Sequence, residues 1–375
     1  MSLRALAAHT YYSKSYPGEL VTGVKAPTAD VARRVDEALG AGGKLVALVQ
    51  PIAVTSVDEG EMDALDLARR VASSDLSVDT LDRMESVVDD IACGYATTPP
   101  EELLPRARRH LACVGQLVGV RKTLAQHRRL LVVGGWLSLL SATLSIDLRQ
   151  RASAGAYLAT ARQMADHAEH AEIQAWCVET RAWEVLTGGD YLLAVQLSRQ
   201  AQAIAPKGSS ALIQATAQEG RAWARMHRSA ETLDALKRTA ALISPLEVPD
   251  RPEHHYRYDP AKADSYTATT LAWAGDPAAE KYARAVLQQM QRLGEDVRRP
   301  RRAASARLDL SLALLAAQKP DEAAAVALKA VASGRIVASN WWRATEILSA
   351  VQRTGIAESA DLDEAYHTYH PKEGG

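Results

Sequence analysis

Arg181-Ala-Trp-Glu-Val-Leu-Thr-Gly-Gly-Asp190 has three altered copies later in this chain of 375 residues. The copies are Arg221-Ala-Trp-Ala-Arg-Met226, Leu271-Ala-Trp-Ala-Gly-Asp-Pro277 and Leu312-Ala-Leu-Leu-Ala-Ala-Gln-Lys-Pro-Asp321. Each copy precedes an alanine-rich helical pattern, and the shared alanines at 182, 222, 272 and 313 are 40, 50 and 41 residues apart. Periods of about 40 residues are typical of helix-pair repeats, in which each unit buries its apolar face on the next. The sequence therefore predicts an all-α body of stacked helix pairs.

These repeats are expected to extend over residues 128–370 as a tetratricopeptide-like (TPR-like) α-solenoid. Pro206 and Pro245 each follow the second helix of a pair, where a residue that cannot continue a helix is expected. An earlier and more diverged pair is predicted from Arg128 to Ala168. Large aromatic side chains in such arrays more often pack than bind ligands. The packing prediction applies to Trp176, Trp183, Trp223 and Trp273.

The longest spacing between repeats comes from an insert, Leu246-Glu-Val-Pro-Asp-Arg-Pro-Glu-His-His-Tyr-Arg-Tyr-Asp-Pro260. Loops on a solenoid often supply its binding surface. One hypothesis is that a ligand or partner site in the concave body is lined by His254, His255, Tyr256, Arg257 and Tyr258. The alternative is a loop that braces neighbouring repeats by stacking and hydrogen bonds. Arg298-Arg-Pro-Arg-Arg302 is a basic patch that could meet phosphate, but as the N-terminal lead into a helix it is expected to be solvated.

A helical connecting region is predicted at residues 61–127, after a linker at residues 49–60. Its expected helices are Asp63 to Ala72, Ser77 to Ala92, and one long helix from Glu101 to Leu130. The apolar stretch from Leu130 to Ile146 contains serines and a threonine, and it is only just long enough to cross a bilayer. We therefore expect a buried repeat helix there and no association with a membrane.

Residues 1–48 carry the signals of a helix-turn-helix head. Ser2 is placed to cap a helix that ends near His9. Ser13 is predicted to cap a second helix from Lys14 to Thr22, and Thr28 a third from Ala29 to Leu39. Two short helices joined by a tight turn form the helix-turn-helix unit.

Several segments of this head resemble helices two to four of the Cro/repressor-like (XRE) domain. They are Ser2-Leu-Arg-Ala-Leu-Ala, Ser13-Lys-Ser-Tyr16, Leu20, Gly23, Lys25-Ala-Pro27 and Val31-Ala-Arg-Arg-Val-Asp-Glu-Ala-Leu39. The whole chain is similar to the XRE-TPR regulators of actinobacteria, in which such a head precedes helical repeats. The resemblance implies a cytoplasmic DNA-binding transcriptional regulator, homodimeric through its repeats, whose body senses a small molecule, peptide or protein.

The same resemblance implies how the head would meet DNA. The recognition helix of that family enters the major groove by its N-terminal residues. The matching positions are Lys14, Ser15 and Glu19 for bases, with Tyr16 and Lys25 able to reach phosphates.

Three features depart from the family pattern. The family has a further helix ahead of the position of Ser2, Val21 replaces its usual acidic residue, and Pro17 replaces a core aliphatic residue. In a helix that begins at Lys14, Pro17 lies past the first turn and is expected to cost up to about 3 kcal/mol. A second interpretation of the chain is therefore a TPR-like interaction module whose head does not bind DNA.

Composition agrees with an ordinary globular protein and favours no polyanionic partner: the net charge is −1, and 47% of the residues are hydrophobic. The head carries six Lys or Arg against four Asp or Glu, a balance of +2 that is weak for DNA binding. Three widely spaced cysteines fit a reducing cytoplasm. No nucleophile and base form a recognisable arrangement, so no enzyme, catalytic residue or cofactor is predicted. The His167-x-x-His170 and His367-x-x-His370 pairs lack a third ligand, and no metal site is expected.

Overall fold

The computed structural model describes residues 1–49, 59–294 and 298–370, and in these ranges all regular secondary structure is helical. The all-α prediction is confirmed. The predicted linker at 49–60 falls mainly outside the described residues. The first helices are α1 (Leu3–Thr10), α2 (Tyr16–Val21), α3 (Ala29–Leu39), α4 (Lys44–Val49), α5 (Glu59–Ala72), α6 (Val78–Gly94), α7 (Pro100–Val118), α8 (Leu124–Asp147) and α9 (Arg151–Ala168). They are followed by α10 (Ala171–Thr187), α11 (Tyr191–Ile204), α12 (Ser210–Arg225), α13 (Ser229–Ile243), α14 (Ala263–Ala274), α15 (Ala279–Arg292), α16 (Pro300–Ala316), α17 (Pro320–Ala332), α18 (Trp341–Thr354) and α19 (Ser359–Tyr369).

The chain divides into two compact units, Met1–Ala72 and Ser73–Gly375. In the first unit, two helices begin where their capping residues predict. The Ser2 hydroxyl accepts a hydrogen bond from the backbone N–H of Ala5, and the Thr28 hydroxyl accepts one from Val31. These side chains satisfy N–H groups that have no partner within the first turn of a helix.

Asp36 joins α3 to α4. Its carboxylate is 4% exposed and accepts hydrogen bonds from the backbone N–H groups of Gly43 at 2.6 Å, Leu45 at 2.5 Å and Val46 at 3.3 Å. The bond from Gly43 is the largest cause that lowers the pKa of Asp36. An anion at this position suits the positive N-terminal end of α4.

The second helix differs from its prediction. It begins at Tyr16 instead of Lys14, and Ser15 precedes it without a side-chain cap. Pro17 therefore lies in the first turn, where its missing N–H leaves no helical bond unmade and its ring meets no preceding turn. The expected strain at Pro17 is wrong, because the chain enters the helix two residues later than predicted.

In the second unit, α8 to α19 form six consecutive helix pairs, and the helices of each pair contact one another. Each pair has one residue with positive φ in its turn, and these residues are 37 to 48 positions apart. They are Arg149, Gly189, His227, Gly275, Gln318 and Gly355. The four related sequence segments end at four of these turns, so their alignment reflects a repeated local structure.

The predicted helix from Glu101 to Leu130 is wrong, since the structure has two helices there. α7 ends at Val118, and Thr123 starts α8 with a capping box. The Thr123 hydroxyl accepts from the backbone N–H of Gln126 at 3.2 Å, while the Gln126 side chain accepts from the backbone N–H of Thr123 at 2.9 Å. This reciprocal cap and the nearby Gly119 favour a new helix over continuation of the first.

Among the described residues, α8 is the one helix long and apolar enough to cross a membrane. Within its most apolar window, however, 89% of the residues are buried by other parts of the chain. The Ser141 hydroxyl donates to the backbone oxygen of Leu137 at 2.8 Å, so its polarity is satisfied inside the helix. The helix packs as the centre of the largest hydrophobic cluster, which agrees with the prediction of a buried helix there.

Candidate functional site

A cavity of about 350 Å³ lies inside the second unit. The first helix of each of the six pairs contributes to its wall. One residue from each of these helices serves as an example: Asp147 of α8, Trp183 of α10, Arg221 of α12, Tyr266 of α14, Asp309 of α16 and Arg343 of α18. The helix pairs thus surround a common interior, as a stack of repeats with a concave face would.

Asp147, at the end of α8, accepts hydrogen bonds that connect the later helices to the earlier ones. Its carboxylate is 1% exposed and accepts from the Tyr95 hydroxyl at 2.8 Å, from Arg301 Nη2 at 2.6 Å and from the Ser339 hydroxyl at 2.9 Å. Nearby, Arg149 Nε donates to the backbone oxygen of residue 338 at 3.0 Å. These bonds bring α16 and the start of α18 back to α8, and so enclose the cavity.

The insert between α13 and α14 is anchored on α6. Arg251 lies 3.0 Å from Asp90, and Arg257 lies 3.0 Å from Asp89. The backbone N–H of His255 donates to the backbone oxygen of residue 92 at 3.2 Å. The two ion pairs are exposed and contribute little to stability. The backbone hydrogen bond, by contrast, fixes where the insert lies along α6.

The five candidate residues of the insert have different environments. Tyr256 is 3% exposed, and its ring packs 4.9 Å from that of Trp136 and 5.1 Å from that of Trp176. Tyr258 stacks on Tyr266 at 5.6 Å. These are the stacking contacts that the bracing alternative describes.

His254 and Arg257 both face Asp89: His254 Nε2 is 3.3 Å from the carboxylate, and its buried ring has a pKa lowered by burial to about 4. Of the five residues, the cavity is lined by His255 alone. Burial lowers the pKa of His255 to about 3, so this ring is neutral at physiological pH. The ligand-site hypothesis for the insert therefore rests on His255.

The cavity wall is strongly basic. Among the residues that the structure describes, it carries seven cationic side chains against four carboxylates. The cations are Arg221, Lys262, Arg299, Arg301, Arg302, Arg335 and Arg343. The carboxylates are Asp147, Glu179, Glu253 and Asp309. The chain as a whole has a net charge of −1, so this excess of positive charge is a local property of the interior.

Arg343 and Asp309 form a buried ion pair in this wall. Arg343 Nη1 lies 3.0 Å from Asp309 Oδ1, which also accepts from Trp273 Nε1 at 3.2 Å, and the Thr269 hydroxyl donates to Oδ2 at 2.7 Å. Burial lowers the pKa of Arg343, and the nearby Asp309 opposes that shift. The ion pair has a structural part in the wall, although the buried Nε atom of Arg343 has no hydrogen-bond partner.

Lys262 is different, because none of the hydrogen bonds or ion pairs among the described residues involves its Nζ atom. The pKa of Lys262 is lowered to about 8, chiefly by burial. Arg302 and Arg299 also lower this pKa, whereas Asp259 and Glu253 raise it. A desolvated ammonium that has no direct ion pair is unfavourable. Lys262 is therefore a cation of the cavity wall that could pair with an anionic ligand.

Arg221 is a second cation without an acceptor. Its guanidinium stacks over the Tyr266 ring at 4.5 Å, and its buried Nε and Nη2 atoms have no hydrogen-bond partner. Arg221 interacts electrostatically with Glu179, whose pKa burial raises to about 7. Near neutral pH that carboxyl is partly protonated and compensates Arg221 only in part.

The basic segment that ends at Arg302 is not the solvated lead predicted for it. Arg298 is exposed, but Arg301 is largely buried between Asp147 and the ring of Tyr95, 4.6 Å from its centre. Arg299 and Arg302 also line the cavity. The prediction fails because the segment begins α16 at the position where the later repeats return to α8. The cluster of arginines that ends at Arg302 could have indicated a basic site from the sequence. No comparable sequence feature marked Lys262 or Arg221.

In the head, all five candidate DNA-binding residues lie in α2 or close to it. Lys14 and Ser15 are exposed. Lys25 Nζ lies 2.7 Å from a Glu19 carboxylate oxygen and 5.1 Å from the centre of the Tyr16 ring. Lys25, Glu19 and Tyr16 thus form one contact group, and Lys14 is the candidate cation without an ion pair among the described residues.

Comparison of the chain with protein-family models, with curated proteins and with solved structures finds no match. Among the described residues, no group of three or more His, Cys, Asp or Glu side chains could hold a metal ion. The features that could support a function are therefore the basic cavity enclosed by helix pairs and the helices of the N-terminal unit.

Proposed function

We propose that the chain is an XRE-like DNA-binding transcriptional regulator whose TPR-like body binds an effector in its interior. The observation that carries this proposal is the cavity of the second unit, because the first helix of every pair contributes to its wall. A ligand that contacts several pairs can favour one curvature of the array over another. Such a change is a means by which paired heads could be repositioned on DNA half-sites.

The head supports the DNA-binding part of this proposal through its local structure. α1 and α2 are short helices separated by five residues, and α3 packs on α1. The exposed Lys14 precedes α2, the helix that the resemblance assigns to the major groove.

A gel-shift titration with DNA from the region upstream of the gene would test the proposal. We expect binding that weakens as salt rises, because each neutralised phosphate releases counter-ions. Lys14→Glu should weaken binding, whereas Lys237→Glu, a matched charge reversal at an exposed site on α13, should not. No binding even at low salt would contradict the DNA-binding part.

The second candidate is a TPR-like interaction module whose head does not bind DNA. The ion pair of Lys25 with Glu19 favours it, since this lysine is already neutralised and α2 has only six residues. In that case Lys14→Glu would have no effect on any DNA complex, and the cavity or the outer helices would still bind their partner.

A further inference from the structure

We propose that the cavity of the second unit binds a small organic anion, one that carries a carboxylate or phosphate group on an aromatic or apolar body. The inference deepens the effector-binding part of the proposed function and rests on it. It names the chemistry of the effector from the charges and surfaces that line the interior.

The first argument is the charge that the fold leaves uncompensated. Asp147 is matched by Arg301, and Asp309 by Arg343, at 2.6 and 3.0 Å. Lys262 and Arg221 have no such partner among the described residues. An anionic group in the cavity would supply the acceptor that these two side chains lack, and charge-assisted hydrogen bonds are the stronger kind.

The second argument is the apolar surface beside these cations. Trp176 and Trp183 of α10 line the cavity, together with Val286 of α15 and Tyr266 of α14. The packing prediction for the two tryptophans is thus incomplete, since each also presents a face to the interior. Ligand sites combine mostly apolar walls with a few convergent polar groups.

The third argument is size and access. A volume of about 350 Å³ falls at the lower end of the range for small-molecule pockets and is too small for a folded partner. Arg335 lines the cavity yet is exposed, so the cavity opens to solvent near this residue. A small anion could enter there past a guanidinium that attracts it.

Four probes separate the two parts of the proposal: benzoate, phenyl phosphate, the neutral benzamide and inorganic phosphate. Binding to the full chain would be measured by isothermal titration calorimetry and by the shift in Tm. We expect benzoate, phenyl phosphate or both to bind in the range up to about 1 mM, and benzamide and inorganic phosphate to bind at least about tenfold more weakly. Whichever aromatic anion binds more tightly identifies the carboxylate or the phosphate as the preferred group.

Lys262→Met is the informative variant, because it removes the charge while keeping a chain of similar length. It should weaken binding of the aromatic anion at least tenfold, while Lys237→Met on the exposed face of α13 should leave it unchanged. Circular dichroism of both variants would verify that they fold. Benzamide binding as tightly as benzoate, inorganic phosphate binding as tightly as phenyl phosphate, no anion binding, or full binding by Lys262→Met would each overturn the proposal.

This test is independent of the DNA experiment. Anion binding without a gel shift would remove the DNA-binding part of the proposed function and keep the present inference. A salt-dependent gel shift without anion binding would do the reverse.

Discussion

Replacing Lys262 with methionine should stabilise the protein, although it should also impair the binding of an anion. The pKa of Lys262 falls from 10.5 to about 8 in the folded state, chiefly because the side chain is buried. One pKa unit corresponds to about 1.4 kcal/mol, so the charged lysine costs the folded state up to roughly 3 kcal/mol near neutral pH. Methionine fills similar space without that charge. We expect a gain of about 2–3 kcal/mol, or a rise in Tm of roughly 3–5 °C for a unit of this size.

The pH dependence of this gain follows from linkage. Below about pH 8 the lysine is charged in both the folded and the unfolded state, so the gain is constant. Between about pH 8 and 10.5 the folded lysine is neutral while the unfolded one still binds a proton. The wild-type protein therefore becomes more stable relative to the variant as the pH rises through this range. The positive charges of Arg302 and Arg299 add to the lowering of the Lys262 pKa, and the negative charges of Asp259 and Glu253 oppose it.

Urea unfolding of wild type and Lys262→Met, followed by circular dichroism near pH 7 and near pH 10, would measure both effects. Lys237→Met is the control, since its exposed side chain should give almost no change at either pH. A loss of stability near pH 7 would show that the Lys262 ammonium has a stabilising partner in the fold. A gain of equal size at both pH values would show that the charge is not its cause.

Three further changes have expected outcomes. Asp309→Asn should cost about 3–5 kcal/mol in urea unfolding, because Arg343 would remain buried without its counter-ion; a loss below about 1 kcal/mol would contradict this. Burial alone would raise the pKa of Glu219, but four side-chain hydrogen bonds lower it to about 2, so its contribution is present above about pH 4.5 and lost as the pH falls toward 2. Glu219→Gln should thus lose about 2–3 kcal/mol at neutral pH and show a flatter acid titration of stability. Gly275→Ala should cost about 1–2 kcal/mol, since φ is +71° and nothing else crowds the site. Gly155→Ala, equally uncrowded but inside α9, should instead gain up to about 1 kcal/mol; urea unfolding of both variants would measure the difference.

Local chemistry made much of the helical architecture predictable. α3 begins after Thr28 and ends before Gly40, as predicted, because the hydroxyl cap and the left-handed glycine act within a few positions of the chain. The repeat segments likewise end at turns with positive φ. Errors arose where two signals competed, as at Thr123, where a capping box interrupts a long helical pattern.

The binding site was far less predictable. The insert drew attention through its density of His, Tyr and Arg, yet Tyr256 and Tyr258 are buried by aromatic neighbours from other repeats. Nothing in the sequence singled out Lys262 and Arg221. Whether a buried cation has an acceptor beside it depends on the fold, which brings distant residues together.

The amino-acid sequence by itself determined that the chain is helical, where several of the helices before the repeats begin or end, and which segments repeat. Those features depend on caps, turns and apolar periodicity over a few residues. Tertiary structure alone decided that the array returns on itself and encloses a basic interior. Arg301 meets Asp147 across 154 positions of the chain. Such a contact depends on the accumulated rotation of several helix pairs, and no local signal specifies that rotation.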